Sequence, residues 1–393
     1  MAKNIIQPAN RIKNIKPYFF VDRNKRISQL LSKDKDVIRL DIGAPDLPPS
    51  KEIIDVLTNE VNKHNTHSYT PLGGGENFIK AITNYYGMRF GVEIDPEHEC
   101  LGLIGSKEGL FNLGQSILNP HDIALVPNPG YPVYKATSFI AGADIYDIPL
   151  LEKNNYLPIF ESIPKDILYR SKILWLNYPN NPTGATANIE FFESVIDFFK
   201  KYNVVIINDA AYSDVYYDNQ QVPSILEVKG AKEFCVEINS LSKSFNMAGW
   251  RLGMAVGCKQ VINALKSYKS QVDSSTFMPI LTAGIEALKY NKEWVHERNS
   301  IYLKRLEILY NSLCKMGFTL SKPTAGMYLW VKFPELFQDS LSFSNKLLND
   351  INISTTPGII FGNQGEGYLR FSLGTSTDRI NEAINRLSNY INL

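Results

Sequence analysis

The chain has 393 residues, 44% of them hydrophobic, enough for a substantial core and for about two domains of ordinary size. Lys and Arg total 41 against 40 Asp and Glu, a formal charge of +1, so no basic field is present to hold a nucleic-acid backbone or an anionic membrane. Cys100, Cys235, Cys258 and Cys314 are scattered without a C-x-x-C pair, which argues against a disulfide framework and against a zinc site. No signal-peptide core and no apolar run of about 20 residues occurs, so a cytoplasmic, enzyme-sized protein is expected.

In chain order, short apolar runs alternate with segments of helical period. The runs are VIRLDI (37–42), LGLI (101–104), IALVP (123–127), ILWLN (173–177), VVIIND (204–209) and CVEIN (235–239). Between them lie amphipathic stretches such as KEIIDVLTNEVNKH, ENFIKAITNYYGMRF and NIEFFESVIDFFKKY. This alternation predicts an α/β domain with a mostly parallel sheet flanked by helices. After about residue 290 a long charged helix, two strand-like pieces (MYLWVKF and YLRFSL) and a closing helix predict a smaller α+β part. The expected division is a large α/β domain over 48–287 and a small domain made of 1–47 and 288–393.

Polar clusters sit at the carboxyl ends of the predicted strands, where open parallel sheets bind ligands. GSKEG follows one strand and opens a helix, so the amides of Ser106 and Lys107 could hold an anion; an ordinary serine N-cap would read the same way. NYPNNPTG ends another strand with Asn180 and Asn181, or is simply a proline-fixed turn. NDAAYSD places Asp209 at a strand tip with Tyr212 after it; alone, such a carboxylate is as well explained as a capping group. NSLSKSFNMAGWRLG supplies the hydroxyls of Ser240 and Ser242, the fork of Arg251, and Lys243. A desolvated lysine loses its proton readily and becomes an amine nucleophile, whereas an exposed one is only a surface charge. Taken together the set meets the needs of pyridoxal 5′-phosphate: amides, hydroxyls and arginine for the phosphate, an amine for the aldehyde, a carboxylate for the ring nitrogen, and donors for the ring oxygen.

NNPTG, DAAY, SLSKSFNMAGWRLG and FGNQGEGYLRFS stand in the order and spacing of the class I/II pyridoxal-phosphate aminotransferases of fold type I, and the chain resembles that family over nearly its whole length. NRIKNIKPYFFVD, DIGAPDLPPS, GSKEG and NPGYPVY resemble the LL-diaminopimelate aminotransferases among them. The resemblance implies an aminotransferase moving an amino group between an L-amino acid and a 2-oxo acid by a ping-pong route, with LL-diaminopimelate and 2-oxoglutarate as the narrower expectation. It implies that Lys243 bonds the cofactor and shuttles the substrate's proton, that Asp209 holds the ring nitrogen, and that Asn181 and Tyr212 donate to the ring oxygen. Ser106, Lys107, Ser240, Ser242 and Arg251 would form the phosphate cup, and Tyr131 would stack on the ring. Tyr69, in HSYTPLGGG, resembles the tyrosine that reaches the neighbouring subunit's cofactor, implying a homodimer. Arg370 would clamp the substrate carboxylate with Gly43 beside it, and Tyr18 would close over the substrate or anchor the N-terminal arm.

The segment SQVDSSTF (270–277) departs from the family pattern: Ser275 stands where relatives often read glycine, and Asp273 falls near a position that contacts cofactor or substrate. No arginine occurs there for a distal carboxylate, so aspartate specificity is not implied. Two rival readings remain at this level. One is carbon–sulfur cleavage or another reaction on the same scaffold. The other is a non-catalytic ligand-sensing domain, against which the near-zero net charge and the lack of a helix-turn-helix segment both stand.

Overall fold

In the computed structural model, residues 7–13, 15, 18–218, 220–334 and 337–391 are described. Parts of NRIKNIKPYFFVD lie outside them. Among the described residues twelve strands follow one another: β1 (Ile38–Arg39), β2 (Cys100–Leu103), β3 (Ile123–Asn128), β4 (Asp144–Pro149), β5 (Ser171–Leu176), β6 (Val205–Asp209), β7 (Cys235–Ser240), β8 (Gly253–Gly257), β9 (Tyr328–Lys332), β10 (Ile353–Ser354), β11 (Thr356–Pro357) and β12 (Tyr368–Ser372). Seven form one sheet in the order β2-β8-β7-β6-β5-β3-β4. The pairs from β7 through to β4 are parallel, and only β8 runs against both neighbours. This is the expected α/β class.

Both faces of that sheet are covered, which is why its strands read as unbroken apolar runs. Along β5, Ile173 and Trp175 pack into one cluster while Leu174 and Leu176 pack into the other, and Ile206 and Ile207 divide likewise. The two strands that the reading along the chain passed over have weak signatures. DIYDIP in β4 is a largely exposed edge strand that alternates acidic and apolar residues. GMAVG in β8 is five residues bounded by glycine, and a Cβ on Gly253 would lie 2.9 Å from Asn239 O and 3.0 Å from Ser106 N.

One expectation is corrected in detail. Residues 37–42 form only the two-residue β1, which pairs in parallel with β10 instead of joining the large sheet. An apolar run signals a strand but not its partner. The antiparallel sheet β11-β12-β9 lies in a second hydrophobic cluster with the helices Lys292–Lys315, Ser340–Ile351 and Thr377–Ile391, and Tyr212, Val215 and Tyr217 from the turn after β6 join it. Among the described residues no helix is long and apolar enough to cross a membrane.

Candidate active site

Because β2 opposes β8 and β8 opposes β7, β2 runs the same way as the parallel strands, and the carboxyl ends of β2, β5, β6 and β7 face one edge of the sheet. The reversed β8 begins at that edge, which brings Arg251, two residues before it, to the same place. A cavity of about 440 Å³ opens there. Its lining includes Tyr18, Gly43, Ser106, Lys107, Tyr131, Asn181, Asp209, Tyr212, Ser240, Ser242, Lys243, Arg251 and Arg370.

The phosphate-sized end is built from local turns. β2 passes through Gly105, at φ +79°, into the helix Ser106–Ile117, whose first amides lack intrahelical partners. A Cβ on Gly105 would lie 2.4 Å from Arg251 Nη2, so glycine is what lets the guanidinium approach the helix start. Ser240 Oγ accepts the Ser242 amide at 3.1 Å, starting the four-residue turn Leu241–Ser244 that carries Lys243, and Arg251 Nη1 donates to Ser242 Oγ at 3.4 Å. The Lys107 ammonium lies 4.4 Å from the centroid of the Tyr18 ring, and Tyr131 is among the groups that act on the Tyr18 hydroxyl.

Deeper in, Lys243 Nζ donates to Gly43 O at 2.5 Å. Burial lowers its pKa to about 8, with Arg251 and Arg370 pushing the same way and Asp209 opposing. Burial raises the Asp209 carboxyl to about 6 despite the Tyr134 hydroxyl, the Ala211 amide and Lys243. Tyr134 Oη donates to Asp209 Oδ2 at 2.8 Å, and its ring stacks on Trp175 at 5.4 Å. Asn177 Nδ2 donates to Asp209 O at 2.6 Å, and Asn177 Oδ1 accepts the Asn181 amide at 2.8 Å.

The opposite wall comes from the three-stranded sheet. Arg370 Nη1 donates to Asn181 Oδ1 at 2.7 Å and Nη2 to Asp41 O at 2.9 Å, and the guanidinium lies 4.0 Å from the Tyr328 ring centroid. Its Nε is buried without a partner among the described residues. Tyr328 and Tyr212 share a hydroxyl contact of 2.7 Å.

Two expected site residues are not brought to this cavity. Tyr69 is 93% exposed on the surface. Asp273 chelates the Lys269 ammonium, 2.8 Å from each carboxylate oxygen, and Glu108 Oε1 lies 3.2 Å from the same ammonium. Lys269 is 1% exposed, and a buried cation needs such counter-ions, which explains where Asp273 turns. Conversely, Tyr134, Asn177, Tyr328 and Phe361 belong to the site but were not singled out from the sequence. Tyr134, Asn177 and Phe361 stood inside NPGYPVY, NYPNNPTG and FGNQGEGYLRFS, whereas Tyr328 stood in the strand-like apolar piece MYLWVKF.

The family model described as aminotransferase class I and II matches residues 35–387. The chain belongs to the class I and II aminotransferases. It is a transaminase, and its relatives cover it almost completely. The LL-diaminopimelate aminotransferase of Natranaerobius thermophilus is 42% identical over 98% of this chain and 100% of that protein. That of Aquifex aeolicus is 41% identical over 97% of this chain and 98% of that protein. Among solved structures, substrate-bound BacF from Bacillus subtilis superposes with a TM-score of 0.95 at 35% identity, covering 98% of both chains. A double mutant of Thermus thermophilus aspartate aminotransferase gives a TM-score of 0.91 at 26% identity over 98% of this aminotransferase and 100% of that chain.

Proposed function

We propose that this aminotransferase uses pyridoxal phosphate to transfer nitrogen from LL-diaminopimelate to 2-oxoglutarate, as a cytoplasmic homodimer. The observation that carries the cofactor reading is the convergence of Lys243, Asp209, Arg251 and Arg370 on one cavity. The residues suit the cofactor end by end. The Gly105–Ser106 turn, with Lys107, Ser240, Ser242 and Arg251, offers amides, hydroxyls and cations to a phosphate. Asp209 offers a buried carboxylate to the ring nitrogen, Asn181 and Tyr212 offer donors to the ring oxygen, and Tyr131 offers an aromatic face.

When bound, pyridoxal phosphate withdraws electrons from the substrate's α-carbon and makes its C–H acidic. Lys243, its ammonium pKa lowered to about 8, gives up its proton more readily than a surface lysine and takes and returns the proton at that carbon. Arg370, which lines the cavity, offers its guanidinium fork to the α-carboxylate, beside Gly43 and under Tyr18. The exposure of Tyr69 supports the dimer, in which its side chain would reach the phosphate held by the other copy. The seven-stranded sheet, with one hydrophobic cluster on each face, and the three-stranded sheet, with another of its own, support a domain division at 48–287 against 1–47 with 288–393.

The choice of LL-diaminopimelate rests on relatives of that name at 41–42% identity over at least 97% of the chain. A half-reaction with LL-diaminopimelate is expected to bleach the absorbance of the lysine-bound cofactor, and 2-oxoglutarate to restore it. Bleaching by glutamate but not by LL-diaminopimelate removes the donor; no borohydride-trapped adduct on Lys243 removes the cofactor reading itself.

A further inference from the structure

The helix Lys292–Lys315 gives no residue to the cavity lining, yet two of its arginines are buried: Arg298 is 2% exposed and Arg305 is 4% exposed. Arg298 Nη1 donates to Lys243 O at 2.9 Å and also to Ser244 O. Its Nη2 donates to Asp214 O, which also accepts from Asn299 Nδ2 at 3.1 Å. The first two carbonyls close the C-terminal end of the turn that carries Lys243, where backbone acceptors lack intrahelical donors. The third belongs to the turn that follows Asp209. One guanidinium therefore ties together the two backbones that bear the amine and the carboxylate.

Among the described residues no ion pair joins Arg298 to a carboxylate, although a buried cation is costly without one. The surrounding groups are Asp214, Tyr302, Tyr217 and Tyr290, with the Trp294 ring 5.3 Å away. Asp214 gives its carboxylate instead to Arg89 Nε at 3.0 Å and Tyr85 Oη at 2.6 Å. Seven residues along, close to two helical turns, Arg305 grips Asp46 through two bonds of 2.7 and 3.0 Å and donates to Leu373 O at 3.1 Å. Asp46 lies three residues beyond Gly43, whose carbonyl accepts the Lys243 amine. The helix thus braces both partners of the Lys243–Gly43 contact from behind the cavity.

We propose that Arg298 is a positioning residue for Lys243: its planar fork, through the carbonyls of Lys243, Ser244 and Asp214, holds the lysine backbone so that the amine stays desolvated and facing Asp209. The inference rests on Lys243 being the cofactor-bearing amine. The groups that face that amine are Arg251, Arg370 and Asp209. With the fork gone the lysine-bearing turn loosens and water reaches the amine, which favours its protonated form.

The test compares holoenzymes carrying Arg298→Met, Arg298→Lys and Asn299→Ala by pH titration of the lysine-bound cofactor absorbance, by kcat and KM, and by thermal unfolding. Arg298→Met is expected to lower kcat about tenfold with KM within about threefold, and to raise the spectral midpoint by about half a pH unit or more. Arg298→Lys keeps the charge without the fork and should shift both in the same direction by less. It carries the test alone if the Met variant does not fold. Asn299→Ala loses the bond to Asp214 O and the two that Asn299 Oδ1 accepts from Arg298 Nε and Nη2, at 3.2 and 2.8 Å, but it leaves the fork on its three carbonyls, so it should change unfolding and neither of the other two readouts. Variants that unfold earlier with unmoved midpoint and kcat, or an Asn299→Ala that reproduces both shifts, overturn the inference. A wild-type protein without the absorbance overturns the reading of Lys243 and this inference with it.

Discussion

The cavity wall supplied by the seven-stranded sheet takes Ser106, Asp209, Ser240 and Lys243 from strand ends and the turns just after them, whereas the wall supplied by the three-stranded sheet takes Tyr328 and Arg370 from within antiparallel strands. On the first wall each group is set by its own short turn, with free amides nearby. On the second, register sets everything. Arg370 faces Trp330 and Ser372 faces Tyr328 across β12 and β9, so Arg370 and Tyr328 are diagonal neighbours on one face, and a slip of one residue would turn the arginine away from the cavity. Trp330 stacking on Tyr368, ring centroids 5.0 Å apart, helps lock that register. Under the proposed function, reactivity and cofactor grip belong to the first wall and substrate grip to the second.

The strongest way to break this division is Lys243→Ala, for which a loss of about 10,000-fold in turnover is expected in single-turnover absorbance measurements. Arg370→Ala acts on the other wall and should lower kcat/KM about 100-fold, chiefly through KM, since it removes the buried partner of a charged ligand group. A fall confined to kcat would show that the two walls are not separable in this way.

Asp209→Asn sharpens the comparison through stability. The Asp209 carboxyl is raised from 3.8 to about 6 in the folded chain, so folding binds a proton there. Its contribution to stability therefore falls as pH rises from about 4 to 6 and is fully lost above that. The cofactor-free Asp209→Asn protein should be more stable than the parent at pH 7 by about 2 kcal/mol in denaturant titrations, and no more stable at pH 4. Equal gains at both pH values would show that the carboxyl is not the strained group. Arg251→Ala is expected to have the smallest effect, about tenfold weaker retention of the cofactor in equilibrium dialysis, because Ser106, Ser240 and Ser242 remain.

Much of the first wall was legible in the chain because its signals are local: an apolar run that ends in Asp209, a turn that reads SLSKS, a glycine before Ser106. The α/β class followed from the same alternation. Less of the second wall was legible, since Arg370 was singled out only through its surrounding letters, Phe361 stood without a role at the head of FGNQGEGYLRFS, and Tyr328 lay in a strand-like apolar piece. The sequence by itself determined which groups stand at strand ends and hence the chemistry available to them. Only the tertiary structure decided that β1 pairs with β10, that the reversed β8 delivers Arg251, that Asp273 serves Lys269 instead of the cavity, and that Tyr134 reaches Asp209. Lys243 and Gly43 meet across 200 positions, and Arg298 reaches the Lys243 carbonyl across 55. Contacts of that separation leave no period or spacing in the letters, because they are set by how sheets and helices pack and not by any neighbour along the chain.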